Sequence, residues 1–154
     1  MSIDEKVETP KKVLYVDDDK LISRSLELYF RNDKKIDFKV VNTKEEGLKM
    51  IAKNNYDIVL TDGVLGYAGH GNEHDTKEAM KRDGLEIAKV AKEKGAYVIG
   101  FSTKPDYFSD VALQCLDINI RKPAMKLQKL KELLYETPIG EKIKQRYIIE
   151  IAGL

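Results

Sequence analysis

Four apolar stretches of this chain each stop at side chains that can do chemistry. KVLYV, Lys12 to Val16, is followed by Asp17, Asp18 and Asp19, and DIVLT, Asp57 to Thr61, by Asp62. AYVIGF, Ala96 to Phe101, is followed by Ser102 and Thr103, and INI, Ile118 to Ile120, stops just before Lys122 and Pro123. Carboxylates crowded to about 4 Å repel by roughly 4 kcal/mol per pair at an effective dielectric near 20. Such a group is costly without a cation. Lys122 offers one positive charge, and a hard divalent ion would supply the rest. Oxygen ligands without thiolate or imidazole favour Mg²⁺ over zinc. Mg²⁺, a lysine, a hydroxyl and one facing carboxylate can together stabilise a phosphoryl group on that carboxylate. Taken singly, each residue reads as a helix cap or a turn; the set at four strand ends is what points to phosphoryl chemistry.

These residues need elements that bring them to one place. The apolar runs are short and β-branched, which favours buried strands, and FKVV, Phe38 to Val41, adds another. Between them, Leu21, Ile22, Leu26, Tyr29 and Phe30 recur at helical spacing behind Asp19 as N-cap. Thr43 and Glu46 have the form of a capping box ahead of Leu48 and Ile51. A glycine-rich loop over 63–75 leads to a helix that Gly95 ends near Lys94. A short helix is expected over about 106–115 and another from Met125 to about Glu136. Strands alternating with helices predict an α/β fold, a five-stranded doubly wound parallel sheet of flavodoxin-like type in three layers. Ligands of such sheets bind beyond the carboxyl ends of the strands.

The chain has 154 residues, 27 Lys+Arg against 26 Asp+Glu, and 42% hydrophobic residues. That describes one globular domain, with no global electrostatic reason to expect nucleic acid. No apolar run reaches membrane-spanning length and the first residues lack a signal-peptide centre, so no membrane partner is expected. A single cysteine, Cys115, cannot form an internal disulfide and fits a cytoplasmic location. The expected organisation is a loose tail over 1–11, a domain over 12–136 and a helical extension over 137–154. In that extension Ile139, Ile143, Tyr147, Ile148 and Ile151 share one face. Either it caps the domain core or it docks a partner or a second copy as a homodimer.

The stretches VLYVDDDK, YDIVLTD, DGLEIAK, VIGFST and IRKPA, in this order, resemble the receiver domain of two-component response regulators. The resemblance runs from about Lys12 to Glu136. It implies a phosphoacceptor at Asp62 and Mg²⁺ held by Asp17, Asp18, Asp62 and the backbone carbonyl of Val64. It also implies that Ser102 moves onto the phosphoryl group, with Thr103 beside it, and that Lys122 pairs with it. The function implied is a stand-alone signalling domain, not a turnover enzyme. Its phosphoryl group would come from a histidine kinase or phosphotransfer protein, and its output would be contact with a downstream protein. Only 18 residues follow Glu136, too few for a DNA-binding output domain.

The chain departs from the family pattern in three places. The matching Asp83-Gly84 pair ends 22 residues beyond Asp62, which marks an insertion over about 66–80. The family's aromatic switch position holds Asn119, and Thr103 stands where a small residue is common. Three other readings compete. A haloacid-dehalogenase-type phosphatase would use Asp17 and Asp19, but leaves Asp62 and Lys122 unexplained. His70, Glu73 and His74 fit the spacing of an inverted zinc-peptidase motif, though Gly69 and Gly71 oppose the helix it needs. A receiver that docks without being phosphorylated is the third.

Overall fold

The computed structural model describes residues 9–62, 77–102, 115–121 and 127–137. Its sheet contains β1 (Lys11–Val16), β2 (Ile36–Val41), β3 (Ile58–Thr61), β4 (Tyr97–Ser102) and β5 (Ile118–Arg121). All pair in parallel in the order β2-β1-β3-β4-β5. The described helices are α1 (Lys20–Phe30), α2 (Lys44–Lys53), α3 (Lys77–Glu93) and α4 (Leu127–Glu136). The helix expected over 106–115, apart from Cys115 at its end, the histidine-containing part of the insertion and the extension beyond Thr137 lie outside the described residues.

Alternation along the strands divides the core into two layers. Val13, Tyr15, Ile58, Leu60, Ile99 and Phe101 face α1 and α4, where Leu26, Phe30, Leu130, Leu133 and Leu134 meet them. Leu14, Val16, Val59 and Val98 point the other way, onto Ile51 of α2 and Ile87, Ala88 and Ala91 of α3. β1 and β3 are central strands, so both of their faces are apolar. β2 is an edge strand. It begins at Ile36, two residues earlier than the apolar run suggested, because exposed Asp37 and Lys39 alternate with buried Ile36 and part-buried Phe38. On α1 the expected apolar position Leu21 is 82% exposed; Ser23 is buried instead, on the face shared with Leu26 and Phe30.

Local chemistry sets the helix ends. Asp19 accepts hydrogen bonds from the amides of Leu21 and Ile22, and Thr43 from that of Glu46. Gly95, at φ 88°, closes α3: its amide donates to Lys92 and that of Ala96 to Ala91. α3 extends six residues before Asp83, so part of the insertion lengthens this helix backward.

The tail expected over 1–11 overshoots by a residue. Lys11 belongs to β1, opposite Ile36, and its ammonium donates to the carbonyls of Leu134, Tyr135 and Thr137 at the end of α4. A cation on those carbonyls also opposes the negative end of the helix dipole. Thr137 is buried, with its hydroxyl on the Leu134 carbonyl, so the packed unit continues one residue past the expected end at 136. Among the described residues no helix is long and apolar enough to cross a membrane.

Candidate metal and phosphoryl site

Strand register assembles the site. Val16 pairs with Thr61, and Thr61 with Gly100, so β1 and β3 end side by side and β4 runs two residues further, to Ser102. Asp17 and Asp62 are the next residues out; the amide of Asp17 donates to Val41 and that of Asp62 to Val16, each carrying the ladder one step further. Ligand oxygens of Asp17, Asp18 and Asp62 lie within 4.8 Å of one another. Asp17 is fully buried, Asp62 is 7% exposed and Asp18 is partly exposed. At that separation each pair repels by about 3–4 kcal/mol for an effective dielectric near 20. Three carboxylates, one of them open to solvent, match the oxygen-rich donor set of a hard divalent cation.

Asp17 is held from several sides. Its Oδ1 accepts the Asp19 amide at 2.9 Å, and its Oδ2 accepts the hydroxyl of Tyr15. Its backbone carbonyl accepts Asn42 Nδ2 at 2.9 Å and Ser23 Oγ at 3.4 Å. Burial, and then the neighbouring Asp17 charge, push the Tyr15 hydroxyl well above the ordinary phenol pKa, so it stays a donor at neutral pH. On the other face, Gly47 of α2 brings the helix against the strand end. A methyl group there would meet Ile87 Cδ1 at 2.8 Å and Val16 Cγ2 at 3.1 Å.

Of the residues expected to share this site, Asp17, Asp18 and Asp62 come together. β4 runs one residue further than anticipated and ends at Ser102 itself, at the same carboxyl edge of the sheet. Val64, Thr103 and Lys122 lie outside the described residues. Asn119 stands on β5 opposite Gly100. Tyr15, Ser23 and Asn42 were not singled out from the sequence. Tyr15 had a legible signal, since residues two apart on a strand share a face and Tyr15 precedes Asp17 by two. Ser23 and Asn42 had none.

No protein-family model and no curated protein matches the sequence. Solved structures do match. The Thermotoga maritima response regulator TrrA, in complex with Mg²⁺ and BeF, is 24% identical with a TM-score of 0.60. That match covers 80% of this chain and 96% of TrrA. A Francisella response-regulator receiver domain is 26% identical, with a TM-score of 0.57 over 81% of this chain and 96% of its own. A Burkholderia pseudomallei response regulator, with a phosphorylated aspartic acid, a calcium ion and citrate, is 12% identical with a TM-score of 0.60. It covers 91% of this chain and 74% of its own. Sheet order, the acidic cluster at its carboxyl edge and these neighbours agree: the chain has the fold of response-regulator receiver domains.

Proposed function

We propose that this chain is a phosphoacceptor of a two-component phosphorelay, a signalling domain and not a turnover enzyme, with Asp62 as the residue modified. The observation that carries this reading is the meeting of Asp62 with Asp17 and Asp18 where β1 and β3 end. A carboxylate oxygen of Asp62 forms the new bond to phosphorus as the bond from phosphorus to the donor's nitrogen or oxygen breaks, leaving an acyl phosphate. Asp17, Asp18 and Asp62 would hold Mg²⁺, with Val64 contributing its carbonyl. When bound, Mg²⁺ supplies two positive charges that offset the carboxylates and the phosphoryl oxygens. Ser102, Thr103 and Lys122 would contact the phosphoryl group on Asp62 and bias the segments after β3 and β4 between two arrangements. The Mg²⁺-bound TrrA neighbour and the phosphorylated aspartate of the Burkholderia neighbour support this chemistry by analogy of fold. A histidine kinase or phosphotransfer protein is the donor proposed, and a downstream protein the receiver of the signal.

Intact mass after incubation with acetyl phosphate tests the reading, with and without Mg²⁺, on wild type and Asp62→Asn. A phosphoryl adduct that needs Mg²⁺ and disappears in Asp62→Asn is the expected result. An adduct of wild-type level in Asp62→Asn would show that another residue is the acceptor.

A further inference from the structure

Resting on the metal site proposed above, we infer that Tyr15 is a positioning residue for Asp17, its hydroxyl holding the carboxylate in the orientation that receives the cation. The ring is fully buried, with centroids 5.6 Å from Phe101 and 6.2 Å from Phe38, so the core fixes where its oxygen lies. Packing alone would be served by phenylalanine; a buried phenol needs an acceptor, and here that acceptor is a carboxylate of the acidic cluster. With the Asp19 amide on Oδ1 and Tyr15 on Oδ2, both oxygens of Asp17 are restrained and the carboxylate plane cannot turn freely. Asp17 is itself fully buried, so bulk water does not take the place of either donor. Asp18 is partly exposed. Groups that orient a metal ligand from behind typically change metal affinity by about 10- to 100-fold when removed.

Tyr15→Phe deletes the hydroxyl and keeps the ring. Mg²⁺ binding is measured by titration calorimetry on the full chain for wild type, Tyr15→Phe, Tyr15→Leu and Asp18→Asn, with thermal melts of each in the absence of metal. The expected pattern is binding by wild type, none by Asp18→Asn, and a Kd raised about tenfold in a folded Tyr15→Phe. Tyr15→Leu loses the ring as well; a role in packing alone would lower its melting temperature while Tyr15→Phe kept the wild-type Kd. An unchanged or lower Kd in Tyr15→Phe overturns the positioning role and leaves the metal site standing. Absence of Mg²⁺ binding in wild type overturns the metal site and this role together.

Discussion

At Asp17 a carboxylate, a backbone carbonyl and an amide all have partners drawn from different parts of the chain. Tyr15 and Asp19 serve the side chain, Asn42 and Ser23 the carbonyl, and Val41 the amide. Asn42 Nδ2 also reaches Ser23 Oγ at 3.3 Å, which ties the end of β2 to α1 underneath the site. Removing one partner of a buried polar group usually costs more than the net worth of the bond, because the other partner is left desolvated. Asn42→Ala is therefore expected to lower unfolding free energy by about 1–2 kcal/mol, read from urea denaturation. A loss below a few tenths would mean that Ser23 alone satisfies the carbonyl.

The packing of α2 against β1 brings two effects into opposition at Gly47. Replacing a mid-helix glycine by alanine gains about 1 kcal/mol of helix propensity. The added methyl would also press on Ile87 Cδ1 and both Val16 methyls, all in the buried layer that α2 and α3 form with the sheet. The Ile87 contact is with the end of a side chain, which can shift by a fraction of an ångström, so Gly47→Ala is expected to be nearly neutral. Gly47→Val adds two more carbons to the same space and is expected to destabilise by about 2–3 kcal/mol, as overpacked cores do. Thermal or urea unfolding of the two variants side by side checks the balance. Equal effects from both would show that the contact with β1 does not limit side-chain size at this position.

Across the whole molecule the two ends of the sheet use acids differently. At the amino end Asp57 accepts the Lys12 amide, and Asp117 accepts the Val98 amide and the Lys92 ammonium, so these carboxylates close the fold. At the carboxyl end three acids crowd together. A further acid, Asp33, joins the end of α1 to α4. Burial acts to raise its carboxyl pKa, but the Tyr135 hydroxyl, the Lys35 amide and the Lys131 ammonium outweigh it, and the group sits below the ordinary carboxylate value. A lowered folded-state pKa stabilises the protein above the unfolded value, near about 3.9, and that contribution fades as pH falls through the folded value. Asp33→Asn is expected to be less stable than wild type at neutral pH, with the gap closing below about pH 4. Urea midpoints measured from neutral to acid pH test this; a gap that stays constant would remove Asp33 as a source of acid sensitivity.

Much of this was legible in the order of residues. Alternating apolar runs and helical periods identify the α/β class, and the position of an acid before or after a strand assigns it to one end of the sheet. Caps at Asp19 and Thr43 and the stop at Gly95 are local, so their spacing alone placed α1, α2 and the end of α3. Edge strand β2 was read short because alternation with Asp37 and Lys39 hides its start. Tertiary structure alone decided which groups meet. The register of β1 against β3 sets Asp17 beside Asp62, and the Lys11 ammonium finds carbonyls at the far end of the domain. Periodicity encodes which face a side chain takes; it carries no record of the partner waiting on that face, because the partner comes from a distant part of the chain and is chosen by packing.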